Sequence, residues 1–150
     1  MVRDATTADI PELVRLGSLS LVNGPYAGMI KDTPEQSAKL ALEVIENAKG
    51  KVLIYENDTG RVVGLLGFII FAHYFTGEPT ANEIMWYVEP EERKGGGGMK
   101  LLWEAERQAK EMGAKYMSFS APNVDVANIY ERFGYKQLEV SFVKELDAVH

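Results

Sequence analysis

The sequence predicts a mixed α/β fold, a mixed sheet with helices on its faces, in the order β-α-α-β-β-β-α-β-α-β. Three observations predict it. Two apolar runs, "KVLIYE" (Lys51–Glu56) and "RVVGLLGFIIFA" (Arg61–Ala72), flank "NDTG" and read as a hairpin, because Asn, Asp and Gly tolerate positive φ. Several stretches carry apolar residues at helical spacing. After Glu83, strand-like and helix-like runs alternate, as they do where helices cover a sheet.

Taken in order, Val2–Ala5 reads as a short strand. Thr7 reads as the N-cap of a helix with Ile10, Leu13, Val14 and Leu21 on one side. Val22–Asp32, "VNGPYAGMIKD", has the Asn-Gly and Pro signals of a loop. Pro34 opens a second helix, with Ala38, Ala41, Leu42, Ile45 and Ala48 at helical spacing. After the hairpin, Glu83–Val88, "EIMWYV", is a strand ended by Glu89-Pro90. Met99–Met112 is an amphipathic helix with Leu102, Ala105, Ala109 and Met112 on one face and Gly113 as its C-cap. Lys115–Ser120 is a strand, Val124–Phe133 a short helix, and Tyr135–Leu146 a final extended segment.

Composition bounds the function classes. A chain of 150 residues, 46% hydrophobic and 25% charged, is expected to form one domain, residues 1–150, around one core. The longest apolar run, Val62–Ala72, falls well short of the ~20 residues a membrane-spanning helix needs. "MVRDATTADI" lacks the apolar core of a secretory signal, so a cytoplasmic location is the default. Without cysteine there is no disulfide, thiolate metal site or cysteine nucleophile, and two histidines (His73 and His150) disfavour a multi-histidine metal site. A net charge of −6 repels nucleic acid and anionic membranes without excluding nucleic acid, and is compatible with a cationic amine; slight acidity is also ordinary.

"RKGGGG" (Arg93–Gly98) raises the functional question. Glycines lose the most backbone freedom on ordering, yet four stand at the start of a strong helix. A linker would need a domain on each side, and neither side is long enough. The helix lacks a Ser, Thr, Asp or Asn cap, so its first N–H groups need another partner. Glycines let a bulky anion approach those groups, where the helix dipole adds roughly half a positive charge. A diphosphate fits. A Rossmann fingerprint would sit near the first strand, and a P-loop would end in Gly-Lys-Ser/Thr, whereas Gly98 is followed by Met99-Lys100.

Strand, Val88–Gly98 ("VEPEERKGGGG") and helix together resemble the acetyl-CoA-binding signature of the GNAT superfamily of N-acetyltransferases, Arg/Gln-x-x-Gly-x-Gly/Ala, met by Arg93, Gly96 and Gly98. Asn123–Tyr135, "NVDVANIYERFGY", resembles the family's "N…A…LYEKLGF" segment, and the element order is similar throughout. "EIMWYVEPEERKGGGG" looks closest to short bacteriophage-encoded members, for which the location would be the host cytoplasm. Two departures stand out. Gly97 replaces the usual apolar residue, which implies a looser cradle. One long last strand replaces the usual terminal hairpin, available to pack against a second subunit as a homodimer.

The resemblance implies direct acetyl transfer from acetyl-CoA to a small-molecule or peptide amine, with CoA as product and no metal. The implied cofactor contacts are Tyr87, Val88, Arg93, Lys94, Gly95, Gly96, Gly97, Gly98, Met99, Asn123, Asn128 and Tyr130. Among them, the backbone N–H groups around Tyr87 and Val88 would hold the oxyanion. Tyr130 would protonate the departing thiolate, although it could equally be a packing residue of its helix. Asn123 could be a cap, a pantetheine contact or both. For removing the amine proton the candidate is Glu83, with His73 as the alternative base; each could also be a plain surface group. Glu83 and Val88 are five apart, so an unbroken strand puts them on opposite faces, and the bulge typical of the family would bring them back into phase. Asn23, Tyr26, Tyr74 and Phe75 are candidate acceptor-pocket liners. The rival function is a non-catalytic acyl-CoA-binding regulatory or inhibitory module on the same fold.

Overall fold

A computed structural model of the chain describes residues 1–29, 31 and 33–147. Two positions of the expected loop, Ile30 and Asp32, and the terminal His150 lie outside them. The described residues form two compact units, Met1–Ser120 and a second from Ala121 onward.

The first unit holds a five-stranded sheet in the order β1 (Val2–Asp4), β2 (Gly50–Glu56), β3 (Val62–Ala72), β4 (Pro79–Val88), β5 (Tyr116–Ser118). The first three pairings are antiparallel, and β4–β5 is parallel. The helices are α1 (Ile10–Val22), α2 (Pro34–Glu46) and α3 (Gly97–Glu111). This is the expected mixed sheet flanked by helices.

Alternation along the strands divides the core in two. One cluster packs Leu53, Val63, Leu66, Phe68, Ala81 and Val88 with Leu101, Ala105 and Ala109 of α3. The other packs Val52, Ile54, Leu65 and Tyr87 with Leu13 and Leu16 of α1 and Val44 of α2. β3 is buried on both faces along most of its length, which explains its continuous apolar run. The "NDTG" turn forms as expected: Asn57 N–H donates to Arg61 O at 3.0 Å, and Gly60 takes φ +81°.

Four expectations shift. The cap before α1 is Thr6 rather than Thr7, because a 3₁₀ turn (Thr7–Asp9) precedes the helix and Thr6 N–H donates to Asp9 Oδ2 at 2.7 Å. In α2 the buried residue is Val44, while Leu42 is exposed and Ala48 lies past the helix end. β4 starts at Pro79, four residues before Glu83, because β3 supplies a ladder for the polar "PTAN". Tyr135–Leu146 forms no strand among the described residues. Its alternating Leu138, Val140, Phe142 and Leu146 are all exposed. Alternation specifies which face of a strand is apolar, but a strand needs a neighbour for its ladder.

The second unit contains α4 (Val124–Arg132), capped as its sequence suggests by Asn123, whose Oδ1 accepts Val126 N–H at 3.0 Å. Tyr130 lies on α4, its ring tilted against Tyr135 at 5.8 Å.

Candidate active site: a forked sheet ending in a glycine turn

β4 pairs with β3 over its whole length but with β5 only at Thr80–Asn82, opposite Tyr116–Ser118. Beyond that point the two strands part. From Glu83 to Val88 the outer edge of β4 has no strand partner among the described residues. Such an edge presents alternating N–H and C=O groups to any extended molecule that carries amides.

Glu83 stands at the fork. Gly67 pairs with Met85 while Phe68 pairs with Glu83, so Ile84 is an extra, bulged residue. The bulge resets the phase. Glu83 shares a face with its partner Phe68, as Trp86 does with Leu66 and Val88 with Gly64. That is the α3 face. The carboxylate is half-buried and accepts the Ser120 backbone N–H at 3.0 Å, where β5 turns away. Burial pushes its pKa up to about 7 from the ordinary 4.5, and the Ser120 bond pulls it partly back. A carboxyl poised there can accept a proton near neutrality.

At its other end β4 runs through Glu89 into a 3₁₀ turn, Pro90–Gly95, and then α3. The helix starts at Gly97, two residues before Met99. Gly96 is its N-cap with φ +77°, a left-handed conformation that explains why no Ser, Thr, Asp or Asn occupies the position. The first N–H satisfied from the cap is that of Lys100, to Gly96 O at 3.1 Å; those of Gly97, Gly98 and Met99 precede it and have no helical carbonyl to reach. This is an anion site in form. At Gly98 a Cβ would make only ordinary 3.6 Å contacts with Trp86 and Val88, so nothing in the protein demands glycine there.

Gly97 is a correction. Far from loosening the turn, it packs flat on Tyr55 of β2: a Cβ would come within 2.2 Å of that ring. Tyr55 fills the space that the expected apolar residue would occupy. Arg93, an implied cofactor contact, is tied to the end of β4. Its Nε donates to Val88 O at 2.8 Å, and its guanidinium lies 5.5 Å from the centre of the Tyr87 ring. Lys94 is exposed.

The model of the acetyltransferase (GNAT) family matches residues 20–135. The chain belongs to that family. GNAT proteins use acetyl-CoA. No curated protein matches the chain. Among solved structures it is similar to an acetyl transferase, described as putative, from Pyrococcus furiosus (24% identity, TM-score 0.76, covering 97% of this chain and 99% of that one). It is similar to the aminoglycoside antibiotic 6'-N-acetyltransferase AAC(6')-Ih of Acinetobacter baumannii (17%, TM-score 0.76, 99% of each chain). It is also similar to the ribosomal-protein-alanine N-acetyltransferase of Brucella melitensis biovar Abortus 2308 (19%, TM-score 0.70, 97% and 99%). At these identities the structures share the GNAT fold.

Against that family, the structure brings Glu83, Tyr87, Val88 and Arg93–Met99 onto one strand and the turn that follows it. It does not bring His73, Tyr74 and Phe75 there. They sit at the tip of the β3–β4 hairpin, with His73 five residues beyond Phe68, about 16 Å further along at ~3.3 Å per residue. His73 Nδ1 accepts the Phe75 N–H at 3.2 Å, and Tyr74 and Phe75 are almost fully exposed. Asn23 and Tyr26 are exposed on the turns after α1. Asn128 is exposed on α4 in the second unit. Among the described residues no cluster of three or more His, Asp or Glu could hold a metal, and no helix is long and apolar enough to cross a membrane.

Sequence reasoning missed Tyr55, Ser120 and Glu89. The unusual Gly97 was a signal that some bulky side chain faces it, but not which one. Ser120 contributes a backbone amide, which leaves no mark on residue type. Glu89 is buried between Arg15 of α1 and Arg61 of the β2–β3 turn, 74 and 28 residues away, and nothing local announces such partners.

Proposed function

We propose that this single domain is an N-acetyltransferase that moves an acetyl group from acetyl-CoA to a primary amine by direct attack in a ternary complex. The observation that carries this reading is the stretch of β4 beyond its pairing with β5, Glu83–Val88, leading straight into helical N–H groups at Gly97–Met99 that no side chain caps. An acyl-CoA has the matching parts in matching order: a thioester, an arm bearing amides, and a diphosphate.

Glu83 takes the proton of the ammonium acceptor, directly or through water. The bulge and the raised pKa favour it over His73 at the hairpin tip. The freed amine forms a bond to the thioester carbonyl, and backbone N–H groups of the open edge near Tyr87 and Val88 receive the oxyanion. Collapse of that intermediate breaks the C–S bond. Tyr130 donates its phenolic proton to the thiolate and regains one as the acylated nitrogen loses its second proton; its motif position in Asn123–Tyr135 supports the role. Asn123 and Asn128 belong to the same motif-based cofactor set.

The names of the similar structures support either a small-molecule amine or a protein amine as acceptor. The likeness of Glu83–Gly98 to bacteriophage-encoded members supports a host-cytoplasmic site of action, and the exposed alternating apolar residues Leu138, Val140 and Phe142 support a homodimer.

CoA and acetyl-CoA are expected to raise the melting temperature at saturating concentration, and thiol release should follow with at least one member of a panel of amines, polyamines, aminoglycosides and peptide N-termini. Tyr130→Phe should abolish turnover and keep CoA binding. Absence of any CoA binding sinks the reading. Binding with no turnover across the panel would make the protein an acyl-CoA-binding module instead.

A further inference from the structure

Glu89 is the last residue before the glycine turn, and its side chain is only 3% exposed. Arg15 Nη1 and Arg61 Nη2 both donate to its Oε1, the latter at 3.0 Å, while Arg61 Nη1 lies 3.0 Å from Oε2 as an ion-pair contact and Oε2 itself accepts no hydrogen bond among the described residues. Arg15 also donates from Nη2 to Val62 O at 2.8 Å. The backbone around Glu89 is tied just as fully. Glu89 N–H donates to Val63 O at 2.9 Å, Glu89 O accepts Glu92 N–H at 2.9 Å, and Val88 O accepts Arg93 Nε at 2.8 Å.

Pro90 then fixes φ and removes the next N–H. The chain therefore leaves the sheet in one direction, set jointly by α1, the β2–β3 turn and β3. An ion cluster around one buried carboxylate is a poor way to gain stability, because desolvating Glu89 offsets much of its attraction to two partly exposed guanidiniums and an apolar side chain of similar volume would serve as well. What such a cluster supplies, and apolar packing does not, is a fixed geometry. The geometry here belongs to the junction between the open β4 edge and the anion site at Gly97–Met99.

We propose that Glu89 is a positioning residue for the cofactor turn, clamped by Arg15 and Arg61 so that the β4 edge and the N-terminus of α3 hold one relative orientation before any ligand arrives. The proposal rests on the acetyl-CoA reading above. It assigns Glu89 no contact with cofactor or substrate, and it makes the α1 and β2–β3 arginines part of cofactor affinity.

The test measures CoA dissociation constants calorimetrically, well below each melting temperature, for wild type, Glu89→Gln, Arg61→Gln and the double variant. Glu89→Gln keeps the shape and removes the charge, and should weaken CoA by about tenfold, an effect of one buried charge-assisted bond. Arg61→Gln, altering a half-exposed guanidinium, should weaken it by about threefold. The double variant should be no worse than Glu89→Gln, because both act through one clamp. In turnover, KM for acetyl-CoA should rise while the acid limb of the pH–rate profile stays in place. Lowered melting temperatures with unchanged CoA affinity would overturn the proposal, since a merely structural clamp gives that result. If Glu89→Gln does not fold, Arg61→Gln decides by the same criterion. Wild-type protein that binds no CoA overturns both readings; wild type that binds, with variants equal to it, overturns the clamp alone.

Discussion

Two glutamates on one run of chain, Glu83 and Glu89, meet opposite surroundings. Glu89 is buried and gripped by two guanidiniums, and the backbone beside it is fully hydrogen-bonded. Glu83 is half-buried with one backbone amide for company, and burial pushes its pKa up to about 7. Burial by itself therefore does not decide a carboxylate's work. With counter-ions around it, it sets shape. Without them, it is a group that can exchange a proton at neutral pH.

Breaking the paired end should have the largest effect. Glu89→Ala leaves two guanidiniums facing an empty site and should destabilise the fold by about 3–5 kcal/mol, read by chemical denaturation. Glu83→Gln should leave the fold intact but lower kcat/KM by about 10²-fold and remove the acid limb near pH 7. Gly97→Ala drives a methyl into the Tyr55 ring and should cost about 1–3 kcal/mol. Adding Tyr55→Ala should recover part of that loss, and a fully additive double variant would rule out the contact as its cause.

The most gradual effect lies in the pH dependence of stability. The folded pKa of Glu83 is raised, so between about 4.5 and about 7 the native state holds more protons than the unfolded state. Its stabilising contribution is full at low pH and is lost as pH rises through about 7. Melting curves of wild type and Glu83→Gln should therefore diverge across that window in favour of the variant. Parallel curves would mean that burial does not shift the group.

What could be read from sequence follows what is local in the chain. The hairpin turn, the apolar faces of α1 and α3, the Asn123 cap and the uncapped helix start at the glycine run each depend on neighbours within a few residues. Phase errors came from residues whose role is set elsewhere. "PTAN" becomes strand because β3 reaches it, and Tyr135–Leu146 fails to become strand because no ladder reaches it. The Ile84 bulge could be stated as a condition but not located from one strand, since register belongs to pairs of strands. Likewise the Arg15–Glu89–Arg61 clamp and the Tyr55–Gly97 contact join positions that only tertiary structure brings together.

The fork has one more consequence. The edge of β4 beyond its last pairing with β5 at Asn82, where no further strand lies among the described residues, is a template for the hydrogen bonds of an extended chain. Whatever small molecule lies along it also occupies a place where this sheet could be lengthened by a foreign peptide. A molecule seated there would guard the sheet against such additions for as long as it stayed bound.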